Sequence, residues 1–509
     1  MNRLNIKIVS IMIMFIVLSG CGTENGTGRQ KGLSEGVKNT GSGENFRLFL
    51  EAEDIAVTTG NVRVENSHPG FSGNGYLTGI EDDDDTITFT VFIPEDGFYN
   101  LNFISSAYGG YKENYVYIND EQVGVIKING DDFQNSVLNG VFLPKGRQKI
   151  KLVKSWGWIR LDALEITSAS PPGDDVYKVS YETVDPKATK STKRLKRYLA
   201  DVYGKYIISG QYSEKGFNGP EFKAIYQATG KYPAMLGLDF IDYTPSRAAY
   251  GSVGKSVEYA VEFSQKGGIV TFCWHWNAPE RYLYNTPDKP WWKGFYTEAT
   301  NIDLRAIMDG EDPEGYELLI RDIDVIAQLL MRLQDADVPV LWRPLHEASG
   351  GWFWWGASGP EPYKKLYKLL YDRLTNTHDI HNLIWVWNGQ DPEWYPGDEY
   401  VDIVGIDIYP GEKVYSSQAP KFNEILEWTG TRKIIAMTEN GCLFDPDLAF
   451  RDRTVWSYFG IWSGEFMVLN KTYTLSEKYN EKYMINKVYN HEKVITLDEL
   501  PDLKKYRGK

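Results

Sequence analysis

The sequence predicts two folds in one chain: a (β/α)₈ TIM barrel of the α/β class, preceded by an all-β sandwich. The barrel is indicated by eight apolar, β-rich runs that alternate with amphipathic helical patterns, because strands buried on both faces of a parallel sheet are apolar throughout. The sandwich is indicated by residues 46–167, where short segments of period-two alternation are separated by turns. A length of 509 residues accommodates both folds.

The chain begins with the pattern of an export signal, residues 1–21. Arg3 and Lys7 flank the start of an almost unbroken apolar run, residues 8–18, which is too short to span a membrane as a helix. The run ends in Leu-Ser-Gly-Cys, which resembles the bacterial lipoprotein processing box and implies lipid attachment at Cys21. We therefore expect an extracytoplasmic lipoprotein on the cell surface, attached to the membrane only through that lipid; an ordinary secretory signal is the alternative.

Two segments of low apolar content separate the predicted parts. Residues 22–45 are rich in Gly, Asn, Thr and Ser and are predicted to form a flexible linker. Residues 168–184, which begin with "SASPPGDD", are predicted to link the sandwich to a barrel domain at 185–509. Within the sandwich, the acidic run 81–85 is interpreted as a solvated turn rather than a metal site.

The candidate strands are apolar patterns bounded by turn residues. In the sandwich they are "TITFTVFI", "FYNLNFISS", "NYVYIN", "QKIKLVKS" and "IRLDALEI". In the barrel they are 206–212, 234–240, 268–275, 338–347, 382–388, 401–409, 433–440 and 456–462. No glycine-rich phosphate-binding turn follows the first barrel strand, which argues against a nucleotide-binding sheet.

Composition narrows the possible function classes. The formal net charge of −14 gives no electrostatic footprint for nucleic acid and disfavours anionic substrates. Aromatic residues make up 14% of the chain, and this surplus serves either an aromatic-rich core or stacking platforms for a ligand. Cys273 and Cys442 are the only cysteines after Cys21, so no disulfide framework is expected; the sequence leaves open whether they pair.

The C-terminal ends of barrel strands are where catalytic groups belong, because the βα loops meet there. Polar, titratable and aromatic residues stand at those ends: Gln211, Tyr212, Asp239, His275, His346, Glu347, Asn388, Asp407, Tyr409, Glu439 and Trp462. Glu347 ends the fourth candidate strand and Glu439 the seventh, so a closed barrel would bring both carboxylates to one mouth. Such a pair suits glycoside hydrolysis: one carboxyl group donates a proton and the other attacks the anomeric carbon, with the two roughly 5–5.5 Å apart if configuration is retained.

The segment "HEASGGWFWWG", residues 346–356, surrounds Glu347 with flat apolar rings. We expect Trp352, Trp354 and Trp355 to desolvate this carboxyl group, to raise its pKa so that it stays an acid near neutral pH, and to stack on sugar rings. The glycines of the segment would let the loop turn sharply.

Four motifs make the barrel domain resemble glycoside hydrolase family 26, whose best-known members are β-1,4-mannanases: "TFCWHWNAP", "PVLWRPLHEASGGWFWWG", "DIVGIDIYP" and "AMTENG". The resemblance covers residues 185–490 and implies that Glu347 is the acid/base and Glu439 the nucleophile. It also implies that Tyr409 hydrogen-bonds the nucleophile and that His346 positions the acid/base and contacts sugar. The residues implied to line the central subsites are His275, Asn277, Arg343, Trp352 and Trp462, with Trp456 as a competitor for the last. Gln211 departs from the histidine that many members carry.

The N-terminal module resembles carbohydrate-binding modules of family 35 through "FLEAEDI", "GFSGNGYL" and "WIRLDALEI". Members of that family are β-sandwiches with a structural calcium ion, so the resemblance implies Glu51, Glu53 and Asp162 as its oxygen ligands. An acidic edge strand is the alternative interpretation of "EAED". Tyr108 and Trp156 are candidates for the glycan platform, whose ligand the resemblance does not identify.

Together these observations predict a retaining endo-β-1,4-mannanase that acts on neutral plant β-mannan and needs no cofactor for catalysis. A mixed-linkage β-glucanase or β-1,3-xylanase of the same family is an alternative, because the two-glutamate chemistry does not depend on the other hydroxyls of the sugar. A surface glycan-binding protein without activity is the alternative from another class, and the presence of both glutamates argues against it. We expect a monomer with no nucleic-acid partner.

Overall fold

The computed structural model describes residues 37–40, 46–470 and 472–508 of the chain. The export signal and the lipidation residue Cys21 lie outside the described residues. Apolar side chains form two separate buried cores, one inside a sandwich and one inside and around a barrel. Among the described helices, none is long and apolar enough to cross a membrane.

The sandwich consists of two antiparallel sheets built from twelve strands. The strands are β1 Val37–Thr40, β2 Arg47–Glu51, β3 Val57–Thr59, β4 Arg63–Glu65, β5 Tyr76–Thr78, β6 Thr86–Ile93, β7 Gly97–Ala107, β8 Tyr111–Ile118, β9 Glu121–Asn129, β10 Gln134–Leu143, β11 Gly146–Lys154 and β12 Ile159–Ala169, with one short helix, α1 Ala52–Ile55. One sheet has the order β1-β2-β12-β5-β4, with β7 beside β12 and β10 beside β7; the other is β3-β6-β11-β8-β9. Alternation explains the packing, since Ile87, Phe89 and Val91 of β6 are buried while the residues between them face outward.

Eight parallel strands close the barrel in chain order, which confirms the fold class that the sequence predicts. They are β14 Gly210–Tyr212, β15 Met235–Asp239, β16 Ile269–Cys273, β17 Val340–Arg343, β18 Leu383–Trp387, β19 Ile403–Ile408, β20 Ile434–Asn440 and β21 Phe459–Ile461. A separate parallel pair, β13 Ile207–Ile208 and β22 Val494–Ile495, lies next to the first strand. Each barrel strand falls inside one of the candidate runs, because only the central, fully buried residues of a run join the sheet.

Helices surround the barrel: α2 Lys190–Val202, α3 Pro220–Thr229, α4 Pro245–Ala249, α5 Ser256–Gln265, α6 Leu304–Met308, α7 Pro313–Asp335, α8 Pro360–Asp372, α9 Ala419–Ile425, α10 Pro446–Arg451 and α11 Lys482–Tyr489. The longest, α7, begins at Pro313 after Asp312, whose side chain accepts a hydrogen bond from the Gly315 amide. Its buried apolar residues recur every three or four positions, as an amphipathic helix on a sheet requires.

Both predicted linkers contain ordered structure. In the segment 22–45, residues Val37–Thr40 pair with β2 as an antiparallel strand, and the rest of the segment lies outside the described residues. In the segment 168–184, β12 continues to Ala169, and Tyr177 packs its ring 5.0 Å from that of Tyr203 on the barrel domain. A low apolar content hid both features, because backbone pairing and one partly buried aromatic ring leave little trace in composition.

Direct contacts join the sandwich to the barrel domain. Gln122 of β9 donates a hydrogen bond to the Pro410 carbonyl oxygen at 3.1 Å, and Asn423 of α9 donates one to the Asn139 carbonyl oxygen at 2.9 Å. The Arg451 guanidinium lies 4.5 Å from the centroid of the Phe142 ring. The module is therefore docked on the side of the barrel formed by α9 and the loop after β19.

The structure answers whether the two cysteines after Cys21 pair. Cys273 and Cys442 are both buried and free, so they do not form a disulfide bond.

In the acidic run 81–85, the Asp85 carboxylate accepts hydrogen bonds from the Asn61, Glu81 and Asp82 amides at 2.6–2.8 Å. The run is therefore a turn held by one buried carboxylate, and its other acidic residues are exposed or partly exposed.

Candidate active site

Glu347 and Glu439 meet at the C-terminal mouth of the barrel. Carboxylate oxygens of Glu347, Asp407 and Glu439 lie within 4.8 Å of one another. Inverting glycosidases hold their two carboxyl groups roughly 6.5–9.5 Å apart to leave room for a water, whereas retaining enzymes hold them roughly 5–5.5 Å apart. The observed spacing is closer to the retaining geometry and fits attack by a carboxylate on the sugar.

The loop that carries Glu347 differs from the sequence prediction. β17 ends at Arg343, so Glu347 does not end the strand; it follows a turn in which Leu345 and Glu347 have positive φ values of 53° and 55°. Left-handed backbone costs about 1 kcal/mol for a residue with a side chain. The Glu347 amide offsets part of this cost by donating to the Asn388 carbonyl oxygen at 2.8 Å and lying 3.2 Å from its Oδ1.

The surroundings of Glu347 favour its protonated form. Burial raises the pKa of this carboxyl group well above its usual value, and the charges of Asp407 and Glu439 raise it further, against the opposing effect of Arg343. Trp352 donates its indole N–H to Glu347 Oε2 at 3.0 Å and holds the side chain in place. Glu347 is therefore suited to donate a proton near neutral pH.

Glu439 is held in a different way, as a carboxyl group oriented by two donors. Arg343 Nη2 donates to Glu439 Oε2 at 2.6 Å, and the Tyr409 hydroxyl donates to Glu439 Oε1. The contact with Tyr409 is the one that the family resemblance implies. Because a guanidinium and a phenol both bind this carboxylate, its two oxygens are fixed relative to the barrel mouth.

Arg343 joins Glu439 to a third carboxylate that sequence reasoning noted at a strand end but gave no role. Its Nη1 donates to Asp407 Oδ2 at 2.7 Å, while Asp407 Oδ1 accepts from Asn388 Nδ2 and Thr438 Oγ1, each at 2.8 Å. Burial raises the pKa of Asp407 to about 7, with Arg343 lowering it and Glu439 raising it. Arg343 is fully buried, so it orients carboxylates instead of lining a sugar subsite as predicted.

Two histidines form the wall next to Glu347. His275 Nδ1 lies 2.6 Å from Asp239 Oδ2, and the Nε2 atoms of His275 and His346 are 3.3 Å apart. Burial lowers the pKa of His346 well below its usual value, and the charges of Arg343 and His275 lower it further, so His346 is neutral. The sugar contacts predicted for His275 and His346 stay predictions; His346 is buried, and the partner Asp239 was recognised only as a strand-end residue.

The cluster of Asp239, Cys273 and His275 has the residue types of a metal site, yet its hydrogen bonds are already satisfied. Asp239 Oδ1 accepts from the amides of Ile241 and His275 at 2.8 and 3.1 Å, and Oδ2 faces His275 Nδ1. Burial raises the pKa of Cys273 well above its usual value, so it stays a thiol. The cluster is therefore a positioning network for His275.

Only part of the predicted aromatic lining faces the cleft. Trp352 is 47% exposed, and the Trp462 ring lies 5.8 Å from that of His275. Trp354 and Trp355 are fully buried and donate to the carbonyl oxygens of Trp276 and His346, so their predicted stacking on sugar is wrong. Trp456 is also fully buried, which leaves Trp462 as the cleft residue.

Two polar residues that were considered as substrate contacts, Asn277 and Gln211, also belong to the scaffold. Asn277 is fully buried, and its Nδ2 donates to Ser246 Oγ and the Trp291 carbonyl oxygen at 3.2 and 2.9 Å, so it braces a loop instead of lining a subsite. Gln211 is fully buried and donates to the Ile461 carbonyl oxygen at 3.1 Å. It ties the first barrel strand to the last.

In the module, two of the three predicted calcium ligands, Glu51 and Asp162, share one hydroxyl donor, and Glu53 binds a nearby backbone amide. Ser72 Oγ donates to Glu51 Oε2 at 2.7 Å and to Asp162 Oδ2 at 3.1 Å, and Glu53 Oε1 accepts from the Asn74 amide at 2.7 Å. Burial raises the pKa of Asp162 to about 6, and the charges of Glu51 and Glu53 contribute to the rise. Glu53 Oε2 is buried without a hydrogen-bond partner among the described residues.

The predicted glycan platform is only half supported. Trp156 is 53% exposed, but the Arg160 guanidinium lies 3.8 Å from the centroid of the Tyr108 ring and covers one face of it. Sequence reasoning missed two exposed neighbours, Tyr111 and Trp158, which are 37% and 47% exposed. Tyr111 and Trp158 stand close in the chain to the predicted residues Tyr108 and Trp156, so the sequence contained a signal for them.

Fold and site together define a barrel glycosidase with two opposed carboxylates. Residues 184–499 match the model of glycosyl hydrolase family 26, and residues 49–169 match that of carbohydrate binding module family 35. The chain therefore belongs to glycosyl hydrolase family 26, and both resemblances seen in the sequence are confirmed.

Several known proteins match this chain over most of its length. It is 40% identical to a mannan endo-1,4-beta-mannosidase of Thermothelomyces thermophilus over 88% of this chain and 90% of that protein. It is 35% identical to mannan endo-1,4-beta-mannosidase A of Piromyces sp over 89% and 73%. Among solved structures, a GH26-CBM35 β-(1,4)-mannanase of Podospora anserina matches with a TM-score of 0.63 and 38% identity over 90% of this chain and 99% of that one.

Proposed function

We propose that this protein is a retaining endo-β-1,4-mannanase. The observation that carries the proposal is the site itself: burial raises the pKa of Glu347, Arg343 and Tyr409 orient Glu439, and oxygens of the two glutamates lie within 4.8 Å. The relatives at 40% and 35% identity, both endo-1,4-β-mannosidases, support mannan as the substrate. Other β-glycanases remain the alternative that product analysis tests.

The proposed reaction has two displacements. In the first, Glu439 attacks the anomeric carbon while Glu347 gives its proton to the departing oxygen, which breaks the glycosidic bond and leaves the sugar covalently bound to Glu439. In the second, the ionised Glu347 takes a proton from water, and the hydroxide attacks the same carbon and releases Glu439. Two inversions give net retention, and both glutamates return to their starting states.

Surrounding residues supply orientation for these steps. Arg343 and Tyr409 fix the attacking oxygens, and Trp352 fixes the acid. The neutral His346 lies beside the acid without adding a charge that would repel an oxocarbenium-like sugar. The partly exposed rings of Trp352 and Trp462 offer apolar faces to neutral sugar rings, as the chain's net charge of −14 also favours.

Product analysis tests this function. We expect residues 22–509 to release manno-oligosaccharides from linear mannan and galactomannan, and Glu439→Ala to release none. Barley β-glucan and β-1,3-xylan are the competing substrates. Cleavage of either of these in place of mannan would replace the substrate while keeping the mechanism; no product from any of the four would favour a glycan-binding protein.

We also propose that Glu51, Glu53 and Asp162 hold a structural Ca²⁺ ion in the module. Glu51 and Asp162 share the Ser72 hydroxyl, and the charges of Glu51 and Glu53 raise the pKa of Asp162; a hard cation would relieve that repulsion and give the buried Glu53 Oε2 a partner. No step of the hydrolysis depends on this ion.

Removing the ion is expected to lower the melting temperature of the module's unfolding transition, and added Ca²⁺ to restore it. Differential scanning calorimetry of residues 22–509 with and without a chelator measures both. Glu53→Gln should be less stable than wild type in Ca²⁺ and insensitive to the chelator. A wild-type transition that does not move with chelator would remove the metal from the proposal.

The cellular location that we propose is the outer face of a membrane, with the chain anchored by lipid at Cys21. The support is the sequence pattern of residues 1–21. Expressed with its full signal in a bacterium, the protein is expected in the membrane fraction, and Cys21→Ala in the soluble extracytoplasmic fraction. Identical distribution of the two proteins would contradict lipid anchoring.

A further inference from the structure

A buried carboxyl group outside the catalytic centre joins two loops of the barrel mouth. Glu221, in the first turn of α3, is only 4% exposed. Its Oε2 accepts a hydrogen bond from Ser213 Oγ at 2.8 Å, and its Oε1 accepts one from the Gly464 amide at 3.2 Å. Ser213 follows β14, the first barrel strand, and Gly464 follows β21, the last. Glu221 therefore spans the point where the barrel closes.

The place of Glu221 in its helix does not explain its burial. Both α3 and α8 begin with the pair Pro-Glu, but Glu361 of α8 is exposed and pairs with Lys364. A carboxylate favours a helix N-terminus without being buried, and burying it costs free energy unless donors compensate. Burial raises the pKa of Glu221, and the hydrogen bonds from Ser213 and Gly464 oppose that rise. The two loops that Glu221 joins are therefore the reason for its position.

Glycines make room for these contacts on both loops. A Cβ at Gly219, just before α3, would lie 2.0 Å from Ser213 Oγ, so a side chain there would displace the hydroxyl that binds Glu221. Gly464 has a φ of 73°, in the left-handed region that residues with a side chain rarely adopt. The backbone of both loops is thus adapted to the bridge.

Gly464 lies two residues after Trp462, the aromatic ring assigned above to the cleft. The Trp462 amide donates to the Asn440 carbonyl oxygen at 2.9 Å, and Gln211 Nε2 donates to the Trp462 carbonyl oxygen at 3.2 Å. These bonds fix the backbone of Trp462 itself. The bond from Gly464 to Glu221 fixes the chain as it leaves this residue.

The other end of this loop has an anchor of its own. The Phe466 ring packs 5.3 Å from that of Tyr409, which donates to the nucleophile. Asn480 Nδ2 holds Phe466 by donating to its carbonyl oxygen at 2.8 Å. Glu221 therefore serves the Trp462 side of the loop, while Asn480 serves the side that supports the nucleophile.

We propose that Glu221 is a positioning residue for substrate binding, which fixes the loop after β21 so that the Trp462 ring stands against a sugar in the cleft. The inference deepens the proposed function and rests on it. The described hydrogen bonds of the Glu221 side chain go to the two loops and to neither catalytic glutamate. Its removal should therefore weaken binding of a neutral mannan chain and leave the chemistry almost unchanged.

Steady-state kinetics on mannotetraose measures this separation. Glu221→Ala should raise KM about fivefold, as loss of one hydrogen bond's worth of loop positioning would, with kcat within about twofold of wild type. Glu221→Gln should behave as wild type, because its amide oxygen accepts from Gly464 and its amide N–H donates to the Ser213 hydroxyl. Glu361→Ala is the matched control: it removes a glutamate from the same helical position without touching either loop, and KM and kcat should not change.

A double-mutant cycle distinguishes positioning from a general loss of stability. Trp462→Ala removes the ring through which Glu221 is proposed to act, so adding Glu221→Ala to it should raise KM no further. An effect of Glu221 unrelated to this ring would instead multiply with that of Trp462→Ala. If Glu221→Ala does not fold, Glu221→Asp takes its place in the cycle, because the shorter side chain cannot reach both donors.

Three outcomes would overturn the inference. One is a folded Glu221→Ala protein with the KM of wild type, and another is a pair of effects that multiply in the double variant. The third is a loss of kcat with KM unchanged, which would assign Glu221 to the nucleophile side of the loop. Cleavage of mannotetraose by the wild type tests the proposed function by itself, so failure of the positioning role and failure of the function are distinguishable.

Discussion

Replacing Glu439 by alanine is expected to abolish hydrolysis, with kcat on mannan reduced by about four orders of magnitude or more. The reason is chemical. No other described carboxylate is positioned by both Arg343 and Tyr409, and Asp407 already accepts a hydrogen bond from the other terminal nitrogen of the Arg343 guanidinium. Reducing-end release from mannan measures the loss. Affinity for mannan should remain, because the rings of Trp352 and Trp462 and the module are untouched.

Two controls separate loss of the nucleophile from loss of structure. Glu465→Ala removes an exposed carboxylate paired with Lys478 and should leave activity unchanged. Azide added to Glu439→Ala should fill the vacated space and attack an activated β-mannoside once, giving an α-mannosyl azide. A β-configured azide product would place the missing residue on the acid/base side and contradict the assignment.

Most strands of the barrel could be predicted from the sequence, because a strand that is buried on both faces is apolar along its length. A strand such as Ile434–Asn440 is buried at every position, so its residues are apolar until the polar end that faces the mouth. The same rule placed Glu439 and Asp407 at neighbouring strand ends. Boundaries were less accurate around Glu347, because a positive φ at Leu345 and Glu347 depends on hydrogen bonds to Asn388, which is distant in the chain.

The roles of individual rings could not be predicted in this way. Trp352, Trp354 and Trp355 are alike in the sequence, yet one is half exposed and two are buried, because the loop's irregular backbone gives them no common periodicity. Tyr108 was a reasonable platform candidate from the sequence, but in the structure the Arg160 guanidinium covers one face of its ring. Such contacts join residues far apart in the chain, and composition and spacing do not encode them.

Burial also explains why Arg343 was misjudged. An arginine at a strand end normally reaches solvent or ligand, but here two carboxylates, Asp407 and Glu439, make a fully buried guanidinium favourable. The donors to the catalytic pair also differ: among the described residues, Arg343 and Tyr409 donate to the Glu439 side chain, whereas the Trp352 indole donates to that of Glu347. Two glutamates at one mouth thus stand in different surroundings because their donors differ.

Replacing Glu347 by alanine is the second change with a large expected effect, and its size should depend on the leaving group. Departure of a sugar alcohol needs a proton, so kcat/KM on mannan should fall by about 10²–10⁴-fold. An aryl mannoside with an acidic phenol needs little protonation, so formation of the glycosyl-enzyme should be far less affected. Azide should rescue the second displacement and give a β-mannosyl azide, the opposite configuration from Glu439→Ala.

The pH profile of this variant provides an independent measure of the same role. Because burial and two neighbouring carboxylates raise the pKa of Glu347, the protonated form persists to higher pH, and wild-type kcat/KM falls as pH rises through that pKa. Glu347→Ala has no proton to lose there, so its kcat/KM on the activated aryl mannoside should lack this alkaline decline. An unchanged decline would assign it to another group, with Asp407, whose pKa is raised to about 7, the first to examine. Equal losses on activated and unactivated substrates would remove Glu347 as the acid, since only proton donation distinguishes the two leaving groups.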